Sequence, residues 1–155
     1  MKFQSILIAI ALLTATVVNA HESKTADQHK LLLSTGTDHE RIEALEFFGK
    51  EKDKSQIPTI IEVLKDSDNP KVASQAAITL GMIGEKGEST TALKDKILAD
   101  ENPEIVYSCI LGLFNIHKKD EQVDPTAKEA LSFAEKNQDP FVSDLITKIK
   151  SKFSI

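Results

Sequence analysis

The sequence predicts an all-α fold, a right-handed α-solenoid of about four antiparallel helix pairs, and three observations lead there. The stretch DNPKVASQAAITLGMIGEKG at 68–87 shares its plan with ENPEIVYSCILGLFNIHKKD at 101–120, so that Val72, Ala76, Ala77, Leu80 and Ile83 superpose on Ile105, Cys109, Ile110, Leu113 and Ile116 at an offset of 33. Within each copy the apolar positions fall at i, i+4, i+8 and i+11, one stripe of an amphipathic helix. Ala, Ile and Leu dominate the apolar set, aromatics make up 5% and Trp is absent, a balance that suits close-packed helices better than a β-sandwich. With 155 residues, 41% of them hydrophobic, the chain is of the size that buries one core of its own.

Taken in chain order, residues 1–20, MKFQSILIAIALLTATVVNA, read as a secretory signal. Lys2 gives the positive start, Ile6 to Val18 the apolar run, and Val18-Asn19-Ala20 the small-residue cleavage pattern. An uncleaved anchor is the competing reading, disfavoured because the run is short for a bilayer and two Thr interrupt it. Residues 21–155 are then the helical repeat domain, its first five residues or so a frayed start, and the expected location is periplasmic or secreted. Lys-rich, Arg-poor usage and the lack of any Asn-x-Ser/Thr sequon are compatible with a bacterial periplasm.

The first pair runs from Leu31–Leu33 through the capping-box pattern Thr37-Asp38-His39-Glu40 to Ile42, Ala44, Leu45, Phe47 and Phe48. In the second, Ile57, Ile60, Ile61 and Leu64 precede Asn69-Pro70; in the third, Leu93, Ile97 and Leu98 precede Asn102-Pro103. Asn before Pro starts a helix because the amide side chain accepts from the first turn, while Pro at the first helical position wastes no donor. The fourth pair has Ala127, Ala130, Leu131 and Ala134, then Asp139-Pro140, then Phe141, Val142, Leu145, Ile146, Ile149 and Phe153 as its stripe. The linkers, GEKGES after Ile83 and HKKDEQVD after Ile116, are short and polar. A single pair cannot bury both its faces, so the pairs must stack.

Composition excludes several functions. Nineteen basic against 24 acidic residues give a net charge of -5, and Arg41 is the one arginine, so the chain has neither a field for phosphate backbones nor bidentate readers of them: no nucleic-acid partner is expected. Cys109 is the lone cysteine, at an apolar helix position, and reads as a buried thiol with no disulfide available. Signal cleavage after Ala20 would let the α-amino group and imidazole of His21 chelate copper or zinc with His29 or His39, but HESKTADQH lacks the spacing of a recognised site, and no metal or cofactor is expected. His117 follows the last apolar residue of its helix and suits a C-terminal dipole role. Without a phosphate loop, a nucleophile motif or a paired-His motif, and with Asp66 and Asp68 placed where capping explains them, the chain is not expected to be an enzyme.

The stretch SQIPTIIEVLKDSDNPKVASQAAITLGMIG resembles the HEAT repeat, in the short variety described as phycobilisome-lyase HEAT-like. Ile57-Pro58 opens the first helix of the unit, Asp68-Asn69-Pro70 caps the second, and Val72, Ala76, Ala77, Leu80, Gly81, Ile83 and Gly84 fill its pattern. Many units of that family carry Arg after the Val of the second helix, where this chain has Ala73, Val106 and Ser143 and keeps an arginine only at Arg41, so apolar packing must tie its repeats together. The resemblance implies a protein-binding adaptor or scaffold with a protein partner. By analogy with the lyase-like members, it also allows an accessory factor for a small ligand or chromophore.

Advancing 100 degrees per residue from Val72 places Lys71, Ser74, Gln75, Ile78 and Met82 opposite the core stripe, and in the next copy Glu104, Tyr107, Leu111 and Asn115, with Phe114 at the margin. Ile78, Met82, Tyr107, Leu111 and Phe114 are too many apolar groups for a face that meets only water, which makes them the candidate partner-binding residues; burial by neighbouring helices is the alternative. In the last pair the same face becomes Asp144, Lys148, Ser151 and Lys152, as a terminal cap should.

Overall fold

A computed structural model describes residues 24–155; the signal segment 1–20 and His21 lie outside the described residues. Eight helices follow one another, α1 (Ala26–Thr35), α2 (Asp38–Glu51), α3 (Ile57–Asp66), α4 (Pro70–Ile83), α5 (Glu88–Ala99), α6 (Pro103–His117), α7 (Pro125–Ala134) and α8 (Pro140–Phe153), with a 3₁₀ turn at Lys54–Gln56 leading into α3. No strand occurs among the described residues.

The starts are fixed by the expected chemistry. Thr37 accepts from the Glu40 amide, while its N–H at 2.9 Å and its hydroxyl at 2.8 Å donate to the Glu40 carboxylate, and these two donated bonds, the backbone one first, hold the Glu40 carboxyl below its ordinary range. Asn69 and Asn102 each accept from the amide two residues on, Lys71 and Glu104, at 2.9 Å, with Pro following in both. Asp139 caps α8 in the same way through the Phe141 amide, and Asp124 caps α7 by accepting from Ala127, three residues on. Gly84 ends α4 at φ 75, a left-handed position that costs glycine nothing.

The helices form two layers. The first members of the pairs, α1, α3, α5 and α7, line up on one side, and the second members, α2, α4, α6 and α8, on the other, each touching the corresponding helix of the next pair as well as its own partner. The core between them is one cluster that includes Leu33, Leu45, Ile60, Leu64, Leu80, Leu93, Leu113 and Ile146. α4 and α6 cross with almost no separation: a Cβ placed on Gly81 would lie 2.7 Å from the Gly112 Cα, and one on Gly112 would lie 2.7 Å from the Ala77 carbonyl oxygen. At the corresponding crossing of α2 with α4, the Thr79 hydroxyl donates to the Leu45 carbonyl at 3.1 Å, a buried bond between helices.

In place of an arginine ladder, lysines tie successive turns along one edge. Lys54 pairs with Glu85 at 2.6 Å and Lys86 with Asp120 at 2.9 Å, each reaching from one inter-pair turn to the next. Such exposed pairs are worth at most about 1 kcal/mol each, so the apolar layers carry the stack. At the far edge, the Asn69 side chain donates to Asp38 at 2.7 Å and links the starts of α2 and α4.

Four expectations change: Leu31 and Leu98, counted in the apolar runs of the first and third pairs, are 61% and 39% exposed, and the other two concern the second-layer helices. Ser74, placed opposite the core, is buried, as is Ser108, because a central second-layer helix is flanked on both sides and its covered arc is wider than the stripe facing its own partner. Phe141, counted in the last stripe, is 75% exposed. Aligning Pro140 with Pro70 and Pro103 puts Phe141 at the position of Lys71 and Glu104, which face solvent in the earlier pairs.

Candidate functional site

The five residues singled out from the helical phase meet different fates. Met82 is 37% exposed with its thioether lying over Gly49 of α2; Ile78 and Leu111 are half-buried. Phe114 is half-buried against the core, its ring edge-on to Phe153 at 6.2 Å between centroids, so it serves the packing of α6 on α8. Tyr107 also rests on the core, but one side of it opens into a cleft of about 400 Å³ between the starts of α6 and α8. Phe141 forms the opposite wall, and Pro103, Glu104, Ser108 and Asp139 complete it. Asp144, Lys148, Ser151 and Lys152 of the terminal face are all exposed, Lys148 reaching Asp144 at 2.6 Å.

A larger groove of about 930 Å³ runs on the other side of Pro103 and Asp139, which the two depressions share. Its apolar contribution comes from the C-terminal ends of α5 and α7, where Leu98 is 39% and Phe133 41% exposed. Lys136 stands over the Phe133 ring, 5.4 Å from its centroid. Phe141, Leu98 and Phe133 at this junction, and Leu31 on the distant α1, are the exposed large apolar groups outside the five singled out from the helical phase. The repeat offset carries the signal for Leu98, since it maps onto Lys65, an exposed position one repeat earlier.

The titratable groups elsewhere serve the fold. His117 is fully buried, with Nδ1 hydrogen-bonded to an Asp120 oxygen at 3.0 Å and Nε2 3.3 Å from an Asp124 oxygen without hydrogen-bond geometry, so its expected dipole role is joined by a tie to the turn before α7. Lys86, first, and then His117 hold the Asp120 carboxyl below its usual range through hydrogen bonds. With no exposed face, the imidazole has no route to a substrate. His29 is buried, stacked on Phe47 at 4.2 Å, while His39 is exposed and faces Glu43 at 3.3 Å, so the two are not presented together. No group of three or more His, Cys, Asp or Glu suited to a metal occurs among the described residues. Burial pushes the Cys109 thiol up to about 12, leaving it without thiolate character. Among the described residues no helix is long and apolar enough to cross a membrane.

A family model described as HEAT repeats matches residues 29–113, more than half of the chain. No curated protein matches it.

Proposed function

The chain belongs to the HEAT repeat family, and from that premise we propose that it is an exported, non-catalytic adaptor that holds a partner protein at the junction of its third and fourth helix pairs. HEAT repeats generally mediate protein interactions as scaffolds. The observation that carries the particular reading is Phe141, 75% exposed and facing Tyr107 across an open apolar cleft. A phenyl ring held in water at a helix start gains nothing for the fold, whereas a partner that covers it removes apolar area from solvent at about 25 cal/mol per Å². Both depressions are open and mainly shallow, the form expected of a protein contact; a ligand-carrying factor calls for an enclosed pocket with convergent polar groups.

Export rests on the residues 1–20, with their charged start, apolar run and small-residue cleavage pattern. The experiment places a photo-crosslinking residue at 107, at 141 or, as a control, at the exposed position 30 of α1, in the native host. A discrete adduct from 107 and 141 in the fraction outside the cytoplasm, and none from 30, supports the reading. Adducts spread equally over all three positions, or none at any, would overturn it.

A further inference from the structure

We propose that the occupant of the two depressions flanking Pro103 and Asp139 is a short segment of a partner protein in which aliphatic or aromatic side chains are interspersed with Lys or Arg; this rests on the reading of that junction as a protein contact. The apolar half of the site is the exposure of Phe141, Leu98 and Phe133 around one shared wall, with Tyr107 beneath. The polar half is charge. Asp100, Glu101, Glu104 and Asp139 line the depressions against a single ammonium, Lys136. Asp100 is answered by Lys96 at 3.1 Å, and one oxygen of Asp139 accepts the Phe141 and Val142 amides. Glu101 and Glu104 are exposed and in no ion pair among the described residues. They flank Pro103 within reach of both depressions.

Lys136 shows the chemistry in miniature, since its ammonium sits over the Phe133 ring where a partner's cation would find an aromatic face and nearby carboxylates together. The chain's overall charge of -5 favours the same sign of partner and disfavours an anionic membrane. An unpaired carboxylate beside an exposed ring rewards a segment carrying both a cation and an apolar group, and penalises an acidic one by like-charge repulsion.

The test measures binding of two short labelled peptides to the mature chain by fluorescence anisotropy, one alternating Leu and Lys, the other alternating Leu and Glu. The Lys peptide should bind more tightly, and raising the salt should narrow the difference. Phe141→Ala should weaken it by roughly tenfold, the loss of one anchor. The double variant Glu101→Lys, Glu104→Lys should reverse the preference, while Leu31→Ser on the distant α1 should change neither. Circular dichroism checks that each variant is folded. Equal binding of the two peptides, indifference to Phe141→Ala, an equal loss in Leu31→Ser, or binding of anionic vesicles in place of the Lys peptide would each overturn the proposal. So would concentration-dependent self-association abolished by Phe141→Ala, which makes a second copy the occupant. If crosslinking from 141 still captures a discrete protein that the Lys peptide fails to displace, the contact surface stands and the assigned chemistry falls; if no adduct forms, both fall.

Discussion

Replacing Gly81 and Gly49 by Ala, one at a time, puts the close crossing of α4 and α6 at risk. In both cases a methyl enters a helix, and helix propensity alone favours Ala by up to about 1 kcal/mol. At Gly81 the new Cβ would lie 2.7 Å from the Gly112 Cα and 3.0 Å from its carbonyl oxygen. Both are backbone atoms, which no rotamer change can move. Ordinary carbon contacts are about 3.5–4.0 Å, so the helices must part by roughly 1 Å, an overpacking cost of about 1–3 kcal/mol. The net expectation is a loss of up to about 2 kcal/mol. At Gly49 the nearest atom is the Met82 sulfur at 3.2 Å, the far part of a half-exposed and flexible side chain that can swing away. There the propensity gain survives, and stability should stay level or rise by up to about 1 kcal/mol. Urea titration of both variants, followed by far-ultraviolet circular dichroism, should separate their midpoints by about 1 M at a slope near 2 kcal/mol per M. Coincident midpoints would show that α4 and α6 do not touch backbone to backbone, and the description of the central crossing would be wrong.

The remaining expectations concern the core, the thiol and the histidines. Leu80→Ala and Leu113→Ala delete fully covered methyls and should each cost roughly 2–5 kcal/mol in the same titration, whereas Phe141→Ala should stay within about 0.5 kcal/mol of the parent. Tyr107→Ala should fall between, since its ring rests partly on the core; a loss as large as that of Leu80→Ala would assign it to the fold alone. Cys109 should resist a thiol reagent at pH 8 in the native state and react at once in denaturant, because burial holds its pKa at about 12; fast native labelling would contradict this. Burial, with a smaller push from Lys24, lowers His29 below its ordinary 6.5. The unfolded chain therefore binds the extra proton first, and stability should fall as pH drops from about 6.5 through the lowered value, an effect that the urea midpoint should lose in His29→Phe.

Much of the fold could be read from the chain because its signals are local. Asn69-Pro70 and Asn102-Pro103 name their helix starts, Thr37 and Glu40 close a ring within four residues, and the stripe from Val72 to Ile83 needs only the helical period. What was missed depends on neighbours distant in sequence. Ser74 is covered because α4 has a helix on each side, a fact that the period of α4 does not contain. Phe114 meets Phe153 across a separation that no local pattern predicts. Phe141 is the opposite case: its exposure was implied by the alignment with Lys71 and Glu104, but an aromatic inside an apolar run reads as core unless the repeat is consulted first. The second role of His117 was hidden for a related reason, since Asp124 approaches from the next pair.

The glycine contact between α4 and α6 also sets the centre of the stack apart from its last pair. Helices held backbone to backbone have no side chains between them to compress, so the centre of the solenoid behaves as a stiff block. α8 rests on α6 less extensively and without any such glycine, so the last pair is held chiefly through the packing of α7 on α5. The cleft between Tyr107 and Phe141 lies on that boundary, one wall on α6 and the other on α8. A partner seated across it therefore bridges the third and fourth helix pairs. By linkage, a partner that binds only when the final pair is docked stabilises that docking, each tenfold excess over its dissociation constant adding about 1.4 kcal/mol, so recognition and the anchoring of the final helix pair become one equilibrium.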